Sequence, residues 1–374
     1  MLKQLIILSI CSMLLSGCYT SYGIDDLAMV NAIAYDLSAE EDTYLDITAV
    51  YPRATETGNI YEKLTASGNS TKDIDIDIMG QSSLEIVNGQ LEIMLYGEDL
   101  ANKGIFPVIQ TALKNPNIGS RVKIAIAKGK ANDVLSTKLE KEPNIGLYLD
   151  TMLEKFDNTF VFPSVNLFEF TRSYYDDGID PFLPVFKSTE NSIDFDSFAL
   201  FDEDKLITTI DKEQAVFLFF LRENFDKGLL DIDLEKGEVD HHIHLSYVRN
   251  KHKSQVKKLE DNRFSVTIDV EVTGELEEYT GDLKIDEPNE QKKLEKIIKE
   301  NVDKETNAII NFLQENNVDT LGIGENVRNS LTHSEWKKLD WDKIYPEIEV
   351  TVDSTIKIRD IGKFNQDGGM SNFY

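Results

Sequence analysis

The chain predicts an α+β fold of more than one domain, with mixed and antiparallel sheets and packed helices, and three observations carry that expectation. Short runs of branched apolar residues alternate with helix-like stretches through the first half. Long alternating runs follow between Leu229 and Val272, the pattern of antiparallel strands with one solvent face. A long amphipathic segment then lies between Pro288 and Asn316, with Leu294, Ile297, Ile298, Val302, Ile309, Phe312 and Leu313 at helical spacing. That helix is expected to cover a C-terminal antiparallel sheet. At 374 residues the chain is long enough for two or three domains of about 100–200 residues each.

Taken in order, Leu27 to Asp36 is a near-continuous apolar run that suits one buried strand, and Tyr44 to Tyr51, stopped by Pro52, completes a hairpin with it. Asp73 to Ile78 alternates Asp and Ile, which by period alone is a strand with three carboxylates on one face. A calcium ladder is set aside there, because like charges in a row usually face water. Leu91–Tyr96 and Val122–Ala127 predict further strands, each leading into a helix, from Gly97 and from Ala131 to Leu139. Leu147–Phe156 and Leu167–Tyr175 read as amphipathic helices, the second capped by Pro163 and Ser164. Pro181 to Phe186 is extended, and its prolines point to a sheet edge. The polar stretch Lys187 to Ser192 marks a boundary, giving an N-terminal domain over 26–190 and a C-terminal one over 191–361. Phe198–Phe201 and Lys205–Thr209 flank an acidic turn as a hairpin, and Asp211 caps a helix whose Ala215, Phe217, Leu218 and Leu221 belong in the core. A short helix from Gly324, a Trp336–Trp341 segment and a strand from Ile348 to Ile358 follow, and the polar, Gly-rich 362–374 reads as a disordered tail.

The beginning of the chain carries the most specific signal. Lys3, the apolar run Leu5 to Leu15 and then Ser16-Gly17-Cys18 form a bacterial lipoprotein signal over 1–17, followed by a short tether over 18–25. The run is too short for the bilayer core, which needs about 20 apolar residues. A thiol is needed for thioether attachment of diacylglycerol, and the small Ser16 and Gly17 suit a peptidase that cuts between Gly17 and Cys18. Each buried methylene contributes about 0.8 kcal/mol, so two or three acyl chains hold a soluble body to a membrane where one would not. Cys11 leaves with the signal and Cys18 is acylated, so the mature protein has neither a disulfide nor a thiol nucleophile.

Composition excludes whole classes of partner. Lys and Arg number 39 against 67 Asp and Glu, a net charge of −28, and loss of Lys3 with the signal takes the mature chain to −29, 38 against 67. Such a surface repels nucleic-acid phosphates and anionic headgroups alike, so no nucleic-acid partner is expected and membrane attachment must come from lipid.

Candidate chemistry is sparse. Asp240, His242 and His244 share one face of a predicted strand with His241 on the other, a spacing that can ligate zinc or nickel, yet nothing in the chain completes a tetrahedron. Asp231-x-Asp233-x-Glu235 begins like a calcium loop, but Lys236 stands where glycine is needed. Gly322-Ile323-Gly324 lacks the third glycine of a dinucleotide fingerprint, and no nucleophile elbow is present. The residues read as a binding or scaffolding protein with no cofactor, no metal and no catalytic set.

The ordered motifs resemble the Ger(x)C lipoprotein family, the C subunits of nutrient germinant receptors of spore-forming bacteria. Gly17-Cys18 is followed by Asp26-Leu27-Ala28-Met29-Val30 and a strand ending in Asp36. Gly97-Glu98-Asp99-Leu100-Ala101 with Gly104-Ile105, Lys128-Gly129 with Ala131 to Leu135, Pro163 to Phe170, Asp180-Pro181-Phe182-Leu183-Pro184 and Phe198-Ala199-Leu200-Phe201 come next in family order. Asp319-Thr320-Leu321-Gly322-Ile323-Gly324 with Trp336 and Trp341 is the most specific piece. The chain departs from the family at Asn88 and over 114–121. The resemblance implies a helix where Asp73 to Ile78 alternates, with Thr71 as its cap, and that is the expectation carried forward. It also implies a multi-domain α+β fold and N-palmitoyl and S-diacylglycerol groups on Cys18. The mature protein would sit on the outer face of the inner spore membrane with two integral membrane partners, the A and B subunits. The complex would answer small nutrients and start germination, with no catalysis and no direct small-molecule ligand expected of this subunit. The alternatives are a solute-binding lipoprotein of a transporter, which needs two similar α/β lobes, and a cell-envelope hydrolase, which needs an acid, base or nucleophile set that the residues lack.

Overall fold

The computed structural model describes Gly23 and residues 26–55, 58–139, 144–159, 162–236, 239–260 and 263–361. The signal 1–17 with Cys18, all of the tether but Gly23, and the tail 362–374 lie outside the described residues.

The run from Leu27 to Asp36 is two strands, β1 (Leu27–Met29) and β2 (Ala32–Leu37), broken at Val30 and Asn31. Next come β3 (Leu45–Thr55), β4 (Gly58–Gly68), helix α1 (Thr71–Gly80), β5 (Glu85–Val87) and β6 (Ile93–Gly97). Helices α2 (Glu98–Lys103) and α3 (Phe106–Leu113) lead to β7 (Lys123–Ala127), and α4 (Ala131–Ser136), α5 (Ile145–Thr159) and α6 (Leu167–Tyr175) to β8 (Phe182–Ser188). β9 (Ile193–Asp202) and β10 (Lys205–Asp211) end an eight-stranded sheet of order β10-β9-β8-β7-β6-β2-β3-β4, while β1 pairs with β5 alone. The four central strands β2, β6, β7 and β8 are parallel neighbours.

Helices cover both faces of this sheet, which is why its central strands read as unbroken apolar runs. Ile33, Tyr35, Met94, Tyr96, Ile124 and Ile126 face one core with α1, α2, α3 and α6, while Ala32, Ala34, Ile93, Leu95, Ala125 and Ala127 face a second core under α4 and α5.

The stretch expected as a helix on the family resemblance is one, with Ile74 and Ile78 buried a turn apart and Ile76 exposed. Its cap is Ser70 rather than Thr71: the Ser70 hydroxyl accepts from the Asp73 N–H. Likewise Asn166, not Pro163 and Ser164, caps α6, in a reciprocal pair with Glu169. Pro52 does not stop β3. The Val50 carbonyl accepts from Asn31 N–H, so Pro52, two residues on, faces the side where β2 has already ended and no donor is missed. β8 is an interior strand rather than an edge, because its pairing with β7 starts at Val185, one residue past Pro184. The predicted boundary at Lys187–Ser192 is the turn between β8 and β9, adjacent strands of one sheet.

α7 (Lys212–Arg222), capped by Asp211 and Gln214, links the halves. Its Phe219 packs on Phe162, Phe182 and Phe198, and Phe220 stacks on Phe225, so one core runs from the large sheet into the second. That second sheet, β11 (Leu230–Lys236), β12 (Val239–Lys258), β13 (Phe264–Tyr279) and β14 (Glu349–Asp360), lies under α8 (Pro288–Glu315), whose Leu294, Ile298, Val302, Ile309 and Leu313 are buried. β11, β12 and β13 are antiparallel as expected, but β14 runs parallel to β13. A long crossover through α8 returns the chain to the end from which β13 started, so the C-terminal sheet is mixed. α9 (Ile323–Asn329), α10 (His333–Trp336), α11 (Trp341–Ile344) and a 3-10 turn (Tyr345–Glu347) fill the crossover beyond α8.

One corner of the large sheet yields a stability prediction. Asp36, at the end of β2, accepts from Ala131 N–H through Oδ1 (2.7 Å) and from Asn132 N–H through Oδ2 (2.8 Å), and so holds the start of α4. Gly97 lies so close that a Cβ there would overlap the Asp36 carboxylate. Asp36→Ala strips both amides of their acceptor and is expected to cost about 2 kcal/mol in urea unfolding; an unchanged midpoint would rule out this role.

Candidate functional site

The Asp319–Gly324 motif forms a buried joint between the two halves. α8 ends at Glu315, and the chain turns through Asn317, with positive φ, into Val318 and Asp319. Gly322, at φ 69°, takes a left-handed conformation that suits glycine, and α9 begins. Asp319 is 3% exposed; its Oδ1 accepts from Ile323 N–H (2.8 Å) and its Oδ2 from Gly324 N–H (2.7 Å) and the Trp341 indole (3.1 Å). One carboxylate thus holds the turn, the start of α9 and α11 together.

The other half supplies the loop between α6 and β8. Asp180 N–H donates to the Asp319 carbonyl (3.0 Å), and Asp319 N–H donates back to Asp180 Oδ2 (2.6 Å). Glu325 N–H donates to the Gly178 carbonyl at 2.7 Å. Gly178, at φ 87°, lies against Gly324: a Cβ on Gly178 would sit 2.5 Å from the Gly324 carbonyl carbon. Arg328 of α9 pairs with Asp176 and donates to the Asp177 carbonyl (2.7 Å). The Asp177 carboxylate accepts from the Trp336 indole (3.2 Å) and Lys337 (3.0 Å), which holds it below the usual carboxylate range. Arg222, at the end of α7, donates to the Thr320 carbonyl and lies over the Phe182 ring, while Tyr345 O–H donates to the Val318 carbonyl (2.9 Å).

Asp180, Asp319, Trp336, Trp341 and Tyr345 border a cleft of about 320 Å³. Burial pushes both carboxyls up, Asp180 and Asp319 each to about 7, and for Asp319 burial outweighs its three N–H donors. The joint can therefore take up or release protons near neutral pH.

The residues of the sequence motif, Asp319 to Gly324 with Trp336 and Trp341, do meet, with the indoles 5.6 Å apart between ring centres. Trp336 is buried in the core and Trp341 packs against its margin. Sequence reasoning missed Gly178, Asp180 as a partner of Asp319, Arg222 and Arg328. The one available signal was Asp180-Pro181 inside a family motif.

The other sequence candidates fall elsewhere. His242 and His244 lie on β12 directly across from Asp233 and Asp231 of β11 and pair with them through Nδ1, and His244 Nε2 also stands 3.5 Å from Glu277. The stretch that begins like a calcium loop is thus a strand, and its Asp231 and Asp233 meet the histidines. Among the described residues no group of three or more His, Cys, Asp or Glu is placed to hold a metal. Among them, too, no helix is long and apolar enough to cross a membrane.

An eight-stranded sheet and a smaller mixed sheet under one long helix, locked at a buried Asp–Gly–Trp joint, define a class of protein rather than a catalytic site. Two family models match the chain in tandem, the spore germination protein N-terminal domain over residues 21–188 and the spore germination B3/GerAC-like C-terminal domain over 196–362. The chain belongs to this spore germination family, the Ger(x)C proteins. It is 26% identical to the spore germination protein GerQC of Bacillus cereus over 96% of this chain and 99% of that one. It is also 22% identical to the putative spore germination protein YfkR of Bacillus subtilis (strain 168), over 96% of each. The crystal structure of the GerBC protein shares the fold, with a TM-score of 0.56 at 16% identity, covering 87% of this chain and 97% of GerBC. The family is one of spore germination proteins and not a known enzyme family.

Proposed function

We propose that this chain is the lipid-anchored C subunit of a nutrient germinant receptor. The carrying observation is the tandem match, which begins three residues after Cys18 and spans both halves. In this reading Gly17–Cys18 is cleaved, Cys18 carries N-palmitoyl and S-diacylglycerol groups, and the body stands on the outer face of the inner spore membrane beside the A and B integral membrane subunits. Residues 26–190 and 191–361 are taken as its two sequence domains, the second lending β9 and β10 to the sheet of the first. Anchoring raises the local concentration near those partners, so modest protein contacts suffice. The subunit is a structural and coupling element and catalyses nothing.

The solute-binding alternative is less well supported, since the eight-stranded and four-stranded sheets are unlike lobes. Spores carrying Cys18→Ala are expected to lose nutrient-triggered germination while still answering non-nutrient triggers. An unchanged nutrient response would reject the receptor role, and micromolar binding of amino acids or sugars to the purified chain in calorimetry would favour the solute-binding reading.

A further inference from the structure

β12 is twenty residues long, but β11 pairs with it only from Val239 to Leu245. Further along, Asn250 exchanges backbone hydrogen bonds with Phe225 (2.9 and 3.1 Å), and His252 N–H donates to Asn224 Oδ1 (2.8 Å). The even-numbered residues of this stretch therefore turn their backbone groups away from β13. Ser254 and Val256 present theirs to the same side, where no strand pairs with β12 among the described residues.

The side chains around this edge are unusual for so acidic a protein. From Tyr247 to Leu259 there is no carboxylate, and Arg249, Lys251, Lys253, Lys257 and Lys258 are exposed. Arg249 reaches Asp226 and Lys258 pairs with Glu335, but Lys251, Lys253 and Lys257 have no ion pair among the described residues. Glu271 and Asp269 lie opposite Lys251 and Lys253, yet Glu271 reaches Lys357 and Asp269 accepts from Gln255. Where β12 is covered, the covering strand is acidic: Asp231 and Asp233 of β11 face His244 and His242. The uncovered half lacks the matching acidic strand.

We propose that the edge of β12 from Lys253 to Lys258 receives an extended acidic segment of a partner protein as an added strand, beyond the Phe225 bridge and in line with β11. The backbone of that segment pairs with Ser254 and Val256, and its carboxylates face Lys253 and Lys257, as cross-strand pairing and strand addition require. This docking does not depend on the anchor at Cys18. The competing explanation is that the lysines only guard an edge against aggregation.

The test uses the full mature chain and a fluorescent ten-residue peptide alternating Glu with Val or Thr, beside the same peptide N-methylated at alternate residues. The acidic peptide is expected to bind, to slow amide exchange at Ser254 and Val256, and to weaken about tenfold or more on N-methylation or with Lys253→Glu/Lys257→Glu. Ser254→Pro, which removes only an outward-facing N–H, is expected to weaken binding similarly with the melting temperature kept. Absence of peptide binding leaves the lysines as guards and overturns the proposal. Equal binding of the N-methylated peptide, with exchange at Ser254 and Val256 unchanged, overturns it in favour of charge attraction alone. Self-association in sedimentation that Ser254→Pro abolishes overturns it in favour of a second copy of this chain.

Discussion

Gly324→Ala is expected to cost about 3 kcal/mol or more and to loosen the two halves together, because the added methyl has nowhere to go. A Cβ at Gly324 would stand 2.6 Å from the Trp341 indole and 2.7 Å from the Gly178 Cα. Neither neighbour yields cheaply. The indole is tied to Asp319 by its N–H, and Gly178 is backbone in a left-handed conformation whose carbonyl holds Glu325. Relief therefore requires parting α9 from the loop before β8, which also strains the Asp180–Asp319 pairing. Gly80→Ala is the control: at the end of α1 a Cβ meets nothing within 4 Å, so the change is expected to be neutral or stabilising by about 0.5 kcal/mol. Urea unfolding of the two variants measures the contrast, and equal midpoints would show that the joint is not close-packed.

The legible parts of this fold are those whose surroundings are simple. β13 has one dry face and one wet one, so Phe264, Val266, Ile268 and Val270 alternate with polar residues and the strand reads directly. β6 and β7 are dry on both faces and read as apolar runs. α1 is ambiguous because an Asp–Ile repeat satisfies period two while Ile74 and Ile78 also share a helix face, and only tertiary burial decides. β4, an edge strand with few apolar residues, and α3, with Pro107 in its first turn, left too little pattern to be expected. The direction of β14 depends on how far α8 carries the chain back, which no local pattern encodes. The same holds at the joint. Asp319 to Gly324 and the two tryptophans stand out as a motif, but Gly178 and Asp180 lie about 140 residues earlier, brought there by the stacking of the two halves.

Asp319→Ala is expected to cost about 4 kcal/mol at pH 5, since it leaves the Ile323 and Gly324 amides and the Trp341 indole without an acceptor. The cost should shrink as pH rises. Asp319 titrates at about 7 in the fold against 3.8 for the free side chain, so the folded state holds the proton more tightly than the unfolded chain. The contribution of the protonated group is complete below about 3.8 and is lost as pH rises through about 7, at about 1.4 kcal/mol for every pH unit between those two values. Asp180 follows the same sign over the same window. Repulsion among the many surface carboxylates also weakens the fold as pH rises, so the variant must be compared with the native chain at each pH rather than across pH. Asp180→Asn, which keeps an acceptor for the Asp319 amide, is expected to flatten the native fall in stability between pH 5 and 8 by roughly half. A penalty for Asp319→Ala that stays constant between pH 5 and 8 would mean that the buried carboxylate is ionised throughout, and that its three donors and nearby Arg222 outweigh burial.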